Sequence, residues 1–388
     1  MTFLECLDNE IFESPKTVGD AGIGKYLEST FEKYRNILDL ISDKTLAREI
    51  KKQKLSISNF CKKIITSVGN YQKGHVEQAY SDFKKAMSIL KPFLFPENKG
   101  GVAHSIGLYK PFYRVRVGSN KPFTKEQMFH LPFSKREFAS TQRFSIPGLP
   151  CLYLSNSIYV CWEELNRPPI NKLQISRFQQ ENLNLKILDL SMTAEQIKIS
   201  SKLKAEQEIE SKYDYDFIAF WYLMTWPLSL ICSLSVKNEN APFKHEYIFP
   251  QFLLQWVTFE KDVDGIKYFS VKSNPYNKED FSQYTNYVFP PKEMALGNYC
   301  SHLKKSFKLS DPVSLEVFKT VDPNYIFITK EWLEKVKYKV LIEIIRVELI
   351  KGFKMPYTHT LFGKLEVFMQ NIEVDFLSEK DILGNVIQ

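Results

Sequence analysis

The feature that most constrains this 388-residue chain is a run of 20 residues without a charge, from Phe217 to Val236. A run of that length is long enough for a membrane-spanning helix. However, Pro227 lies in its middle, hydroxyl side chains dilute it, and no cluster of cations flanks it. These features favour a buried helix that Pro227 breaks and that continues into a buried strand or second helix. They disfavour a membrane span.

The bulk composition is that of a globular protein with sizeable cores, with 44% apolar and 25% charged residues. A net charge of +7 without a long Lys/Arg block disfavours nucleic acid as a partner. The six cysteines form no Cys-x-x-Cys pair, and the acidic segment Met1–Phe12 has no apolar signal region. We therefore expect a cytoplasmic protein with free cysteines.

The texture of the chain changes near residue 100. Three apolar stripes at helical spacing precede that point, in Tyr26–Glu49, Ile57–Val68 and His75–Leu90. Pro92, Pro96 and Gly100-Gly101 end the helical part, and short strands, turns and compact helices follow from about residue 105. The fold class is therefore α+β. We predict a helical domain over 1–100, a mixed α/β domain over 105–300, and a C-terminal extension over 301–388 that packs on the mixed domain. That extension contains a predicted helix over 329–337 and predicted strands over 340–349.

The sequence supports neither a phosphate-binding loop nor a histidine metal site. The segment Gly19–Lys25 matches most of a phosphate-binding loop, but Tyr26 stands where a Ser or Thr is required and no buried strand precedes it. We interpret it as a turn that caps a helix. The six histidines are scattered without metal-ligand spacing, so no metal site is expected. His130 lies among apolar residues, which favours a hydrogen-bonded structural role.

The most informative segment runs from Thr141 to Leu165. An arginine, Arg143, precedes a Pro-Gly turn, a strand then carries Tyr153, and a helix after it carries Glu163 and Glu164. On that helix Glu163 projects opposite the apolar stripe, where we expect solvent, whereas Glu164 lies on the flank of the stripe. A flank position reaches the edge of a cleft more readily, so the geometry favours Glu164 as the functional acid.

In order and spacing, these elements resemble the RES domain. Its tyrosine-to-glutamate spacing of eleven residues is that of Tyr153 and Glu164, and its early aromatic-Arg element matches Tyr113-Arg114. The Gly-x-x-Tyr-x-Ser element that supplies its serine matches Gly265–Ser270, and a late asparagine matches Asn286. The resemblance covers about residues 105 to 295. The chain departs from the family at Thr141-Gln142, where Gly-Gly is common, and this departure affects the local loop shape.

The helical N-terminal region resembles the HEPN-like domains that accompany some RES domains. HEPN ribonucleases carry an Arg-x(4–6)-His motif, and none of the six histidines follows an arginine at that spacing. Ribonuclease activity is therefore not supported. The region is expected to act as a scaffold, in dimerisation or in sensing.

The RES resemblance implies an ADP-ribosyltransferase-like fold that takes NAD⁺ as its substrate, with no metal. It implies cleavage of the nicotinamide–ribose bond by a toxin or an anti-phage defence effector. A carboxylate stabilises the oxocarbenium-like ribose, guanidinium groups hold the pyrophosphate, and an aromatic ring stacks on nicotinamide. The implied residues are Glu164, Arg114 and Ser270 as catalytic groups, and Arg143, Tyr153, Arg116 and Asn286 as NAD-binding groups. The implied partners are an antitoxin or regulatory protein and a second copy of the chain.

Two alternatives remain open at this point. One is a non-catalytic module that senses NAD or another nucleotide, and the other is an ADP-ribosyltransferase that modifies a macromolecule. The acceptor of ADP-ribose, whether water, phosphate or a macromolecule, is likewise open.

Overall fold

The structure is a computed structural model. It describes residues 1–94, 103–105, 111–118, 121–181, 185–198, 215–272, 284–293, 298–320 and 346–378. The predicted boundary at Gly100-Gly101 and the predicted helix over 329–337 lie outside these residues.

The chain forms two compact units, each assembled from three segments. Unit 1 consists of Met1–His104, Thr141–Ile146 and Lys186–Val271, and unit 2 consists of Ser105–Ser140, Pro147–Leu185 and Lys272–Gln388. Helices dominate the N-terminal part and a mixed α/β part follows, which confirms the α+β prediction. The units interleave along the chain, whereas the predicted domains are consecutive.

Helices and strands are numbered in chain order through the described residues. The helices are α1 (Phe3–Cys6), α2 (Ile23–Asp39), α3 (Lys44–Gln72), α4 (Val76–Leu94), α5 (Ile158–Glu164), α6 (Tyr215–Cys232), α7 (Ile248–Phe259), α8 (Ser301–Ser306), α9 (Leu315–Thr320) and α10 (Leu361–Gln370). The strands are β1 (Ala103–Ser105), β2 (Pro111–Val117), β3 (Leu152–Ser155), β4 (Leu173–Gln180), β5 (Lys186–Leu190), β6 (Gly265–Phe269), β7 (Thr285–Phe289), β8 (Phe307–Leu309), β9 (Val313–Ser314), β10 (Arg346–Ile350) and β11 (Phe353–Pro356).

The interleaving has a physical cause in helices α6 and α7. Both are strongly apolar, and they pack against the N-terminal helices α3 and α4. In that packing, Phe83 of α4 contacts Phe249 and Phe252 of α7, with ring centroids 6.0 and 5.7 Å apart. A helix that is apolar on all sides is buried within a core. The N-terminal helices therefore share their core with helices from the middle of the chain.

Helix α6 contains most of the uncharged segment Phe217–Val236, and it runs through Pro227 without a break. The predicted break is wrong. A proline removes one backbone N–H and leaves the carbonyl four residues earlier without its helical partner. Here that carbonyl belongs to Leu223, and the buried Tyr34 hydroxyl donates to it at 2.5 Å. No described helix is both long enough and apolar enough to cross a membrane.

The N-terminal helices also differ from the prediction at one point. Helix α2 ends at Asp39 and α3 begins at Lys44, so the predicted helical stretch Tyr26–Glu49 is interrupted. Asp43 is the N-cap residue of α3, and its carboxylate accepts the backbone N–H of Phe3 at 2.7 Å. The turn predicted in Gly19–Lys25 does cap a helix, because Gly22 precedes α2 with φ +84°.

Unit 2 contains an antiparallel sheet with strand order β7-β3-β2-β4-β8, and β9 also pairs with β4. Helix α5 packs on β2 and β3, and α10 packs on α5. This arrangement confirms the predicted strand at Tyr153. The described residues of the C-terminal extension belong to this unit.

Two further structural details concern strand pairing in unit 1 and the buried His130 in unit 2. In unit 1, β5 and β6 pair in parallel, with Leu190 opposite Tyr268. In unit 2, His130 is buried, its Nδ1 donates to the Leu131 carbonyl at 2.7 Å, and its Nε2 accepts from the Cys300 backbone N–H at 3.0 Å. Burial lowers the pKa of His130 to about 4. The structural role predicted for this histidine is confirmed.

Candidate functional site

The carboxylate of Glu164 is held by a residue from a distant strand. Glu164 is the last residue of the seven-residue helix α5 and is half-buried. Its Oε1 accepts a hydrogen bond from Nδ2 of Asn286 in β7 at 2.7 Å. The structure therefore brings together two residues that different sequence motifs predicted to belong to the same site.

Ser155 completes a buried hydrogen-bond chain behind that pair. Ser155 is the register partner of Asn286, and its hydroxyl donates to Oδ1 of Asn286. The amide orientation follows from this network, because the oxygen faces a hydroxyl donor and the nitrogen faces a carboxylate. The sequence analysis missed Ser155. The local pattern that could have identified Ser155 is its position as a polar residue at the end of the otherwise apolar or aromatic strand Leu152–Ser155.

Tyr153 lies on the same face of the sheet as Ser155 and Asn286, because side chains two residues apart in a strand share a face. Its register partner in β7 is Val288, and its side chain is half-buried. Glu164 reaches Asn286 from this same face. Tyr153, Ser155, Asn286 and Glu164 therefore line one side of the sheet, and we call them the carboxylate cluster.

Arg114 meets this cluster through the backbone of β3. In the pairing of β2 with β4, Arg114 lies opposite Ser176. The side chains of Arg114 and Tyr113 therefore point to opposite faces of the sheet. The guanidinium nevertheless donates from Nη1 to the Tyr153 carbonyl at 3.2 Å. Burial lowers the pKa of Arg114 to about 10. Among the described residues, no carboxylate pairs with Arg114, and its buried Nε has no hydrogen-bond partner.

Arg116 shares its strand face with Arg114, but it has partners of its own. Its Nη1 donates to the Gln127 carbonyl at 2.6 Å, and its guanidinium lies 4.3 Å from the centroid of the Phe123 ring. Burial lowers the pKa of Arg116 as well. These contacts hold the side chain along the surface of unit 2.

Arg143 and Ser270 belong to unit 1. The Arg143 guanidinium is buried and lies 5.2 Å from the centroid of the Tyr247 ring. Its loop is fixed at Gln142, whose backbone N–H donates to the Ser145 hydroxyl at 2.8 Å. Ser270 directly follows β6 and is buried. That these two residues join the carboxylate cluster in one site stays a prediction.

The neighbouring acid Glu163 does not face solvent, so that expectation is wrong. Its side chain is buried, and two hydrogen bonds of 2.9 Å join its carboxylate to the Arg167 guanidinium. The reason is a tight turn after α5, where Asn166 and Arg167 have φ values of 61° and 53° and fold Arg167 back. Glu163 is therefore neutralised by an ion pair, whereas the Glu164 carboxylate accepts from a neutral amide.

Lys272 fixes the C-terminal end of α5. Its ammonium donates to the Glu164 carbonyl at 3.3 Å and to Oδ1 of Asn166 at 3.0 Å. A cation at this position satisfies carbonyl groups that a helix end leaves without internal partners. The sequence analysis did not single out Lys272, since its distance along the chain from α5 gives no local signal.

The cysteines offer no nucleophile at this site. All six are free and buried, and burial raises the pKa of Cys161, which lies in α5 beside the cluster, to about 12. The described residues also contain no group of three His, Cys, Asp or Glu side chains placed to hold a metal ion. The groups that the described residues of unit 2 bring together here are an oriented carboxylate, Glu164, and the half-buried guanidinium of Arg114 on the Tyr153 carbonyl.

Together these features define a class of protein: an α+β chain with a carboxylate held by an asparagine on an antiparallel sheet. The chain is 37% identical over 308 residues to "Putative toxin YopC" of Bacillus subtilis (strain 168). The alignment covers 79% of this chain and 68% of that protein. The chain belongs to the same family as YopC. No family model matches the chain, and no solved structure matches it.

Proposed function

We propose that the chain is a toxin that consumes NAD⁺ by cleaving the bond between nicotinamide and ribose. The observation that carries the proposal is the 2.7 Å contact between Glu164 and Asn286. The residue order that resembles a RES domain predicts both residues, and the contact supports that assignment. The toxin role is supported by the name of the related protein from Bacillus subtilis.

Glu164 has the properties that the reaction requires. Departure of nicotinamide breaks the C1′–N bond, the electron pair leaves with the ring, and positive charge develops on the ribose. A carboxylate fixed in advance stabilises that charge without having to reorganise during the step. Asn286 holds the carboxylate from one side, and Ser155 orients Asn286.

Arg114 is suited to an anionic substrate. A buried guanidinium without a carboxylate partner is costly for the folded protein unless an anion compensates its charge. The pyrophosphate of NAD⁺ carries such charge, and guanidinium groups bind phosphate oxygens in a fork geometry. In this proposal Arg114 and Arg143 hold the pyrophosphate, and Arg116 assists them.

The remaining roles follow from the resemblance. Tyr153 stacks on the nicotinamide ring, and Ser270 binds its amide or orients Glu164. The oxocarbenium ion is captured by water with release of a proton, by phosphate, or by a macromolecular nucleophile. An antitoxin or regulatory protein restrains the activity in the cell.

Nicotinamide release from NAD⁺ tests the proposal directly. Purified protein should release nicotinamide, Glu164→Gln should lower kcat by about 10²-fold or more, and Glu316→Gln should leave it unchanged. Glu316 is a matched control because its side chain is 62% exposed and forms a surface ion pair across one turn with Lys319. NAD⁺ that remains intact at high protein concentration, with candidate partners added, contradicts the proposal.

The same samples separate the two alternatives. Radiolabel that moves from NAD⁺ to protein or nucleic acid identifies an ADP-ribosyltransferase. Calorimetric binding of NAD⁺ without turnover, unchanged in Glu164→Gln, identifies a sensing module.

A further inference from the structure

Helix α5 is too short to define its own position. It has seven residues, and helices of that length are marginal without tertiary contacts. Its first turn carries backbone N–H groups that have no partner within the helix. The direction in which Glu164 points therefore depends on what satisfies those groups.

The C-terminal helix α10 supplies the partners. The carboxylate oxygen Oε1 of Glu366 accepts the backbone N–H of Ile158 at 2.6 Å and the hydroxyl of Tyr357 at 2.5 Å. Ser157 accepts the N–H of Val160 at 3.2 Å, so the N–H groups of Ile158 and Val160 in the first turn of α5 both have side-chain acceptors.

The same helix also reaches the sheet beneath the carboxylate cluster. Gln370 donates to the Tyr113 hydroxyl at 2.8 Å, and Tyr113 is the register partner of Ser155. The Phe362 ring packs against Trp162 of α5, with centroids 5.3 Å apart. Helix α10 therefore contacts both the helix that carries Glu164 and the strand next to Ser155.

We infer that Glu366 is a positioning residue for Glu164, which it holds against Asn286 by fixing the first turn of α5. The inference rests on the proposed function for its chemistry, and it assigns the C-terminal extension to the working site. Glu366 does not touch the substrate. It acts through the helix, so an acceptor at its position is required and a negative charge is not.

The test compares Glu366→Gln, which keeps an acceptor oxygen, with Glu366→Leu, which removes it. We expect Glu366→Leu to lower kcat for nicotinamide release by about tenfold or more with KM for NAD⁺ little changed, because small displacements of a catalytic group are costly. Glu366→Gln should retain kcat within about threefold. A folded Glu366→Leu with unchanged kcat, or an equal loss in both variants, overturns the inference.

Glu348 offers a matched control. It is also a buried carboxylate of the C-terminal extension, and it accepts a backbone N–H, that of Gly352, at 2.6 Å, but in the hairpin of β10 and β11. Glu348→Leu should therefore lower stability without lowering kcat. A loss of kcat equal to that of Glu366→Leu means that any damage to the extension has the same effect, and the inference fails.

Hydrogen exchange of α5 separates this inference from the proposed function. Faster exchange in Glu366→Leu, but not in Glu366→Gln or Glu348→Leu, supports the positioning role even if the wild-type protein leaves NAD⁺ intact. Unchanged exchange in α5 contradicts it. If Glu366→Leu does not fold, Tyr357→Phe replaces it, and wild-type kcat and exchange in that variant overturn the inference.

Discussion

The carboxylate of Glu164 and the side-chain amide of Asn286 lie 2.7 Å apart, although 122 residues separate them in the chain. The contact joins the end of helix α5 to strand β7, and Ser155 of β3 fixes the amide from behind. Three elements therefore converge on one carboxylate. The account of this protein depends on what that carboxylate does.

Asn286→Asp should lower nicotinamide release by about tenfold or more, because two carboxylates at hydrogen-bond distance cannot both ionise without cost. The variant should also be less stable by about 1–3 kcal/mol, since a buried donor is lost. Steady-state kinetics and thermal unfolding measure the two effects. As a control, Asn240→Asp in an exposed turn should change neither. Full activity in Asn286→Asp would remove the asparagine from the site.

Arg114→Met should raise KM for NAD⁺ by about tenfold, because a charged hydrogen bond to phosphate contributes roughly 1.5–3 kcal/mol. Its thermal stability should be unchanged or higher, since the variant no longer desolvates a guanidinium that has no carboxylate partner among the described residues. Titration with NAD⁺ and a thermal melt measure both. A strong loss of stability with an unchanged KM would show a structural arginine.

The pH dependence of stability should carry the signature of Glu366. Burial raises its pKa from 4.5 to about 8, so between these values the folded state keeps a proton that the unfolded state has lost. The stability that this group contributes is therefore fully present below about pH 4.5 and is lost as the pH rises through about 8. The neighbouring Tyr357, Tyr113 and Cys161 stay neutral in this range, because burial raises their pKa values.

Thermal melts of the wild type and Glu366→Gln near pH 5 and near pH 9 measure this effect. The melting temperature of the wild type relative to the variant should fall as the pH rises. A difference that stays constant across the range contradicts the assignment.

Tyr34→Phe should destabilise the protein by about 1–3 kcal/mol, because it leaves the Leu223 carbonyl buried without its hydroxyl donor. Pro227 prevents any helical N–H from replacing that donor. Chemical denaturation measures the change, and kcat for nicotinamide release should not move in the folded variant. A neutral substitution would show that another group satisfies the carbonyl.

Local sequence patterns predicted part of this structure well. The spacing around Tyr153 and Glu164 predicted β3 and α5. Apolar spacing predicted the N-terminal helices. One predicted helix, Tyr26–Glu49, is interrupted between Asp39 and the N-cap residue Asp43. These features depend on residues near each other in the chain.

Contacts between distant segments could not be predicted from the sequence. The Tyr34 hydroxyl binds the carbonyl that Pro227 leaves without a helical partner, and Arg167 folds back and pairs with the buried Glu163. The expectations drawn from the proline alone and from helical position alone were therefore wrong. Glu366 and Lys272 act on α5 from far along the chain. Each depends on tertiary packing, which periodicity does not encode.

The most direct measurement compares nicotinamide release by Glu164→Gln and Glu163→Gln, two isosteric changes at adjacent positions of α5. Glu164→Gln should lose kcat by about 10²-fold or more with its fold intact. Glu163→Gln should lose stability, because it weakens the pair with Arg167, and should keep kcat. Equal turnover by wild type and Glu164→Gln, or loss of turnover in Glu163→Gln alone, would contradict the account.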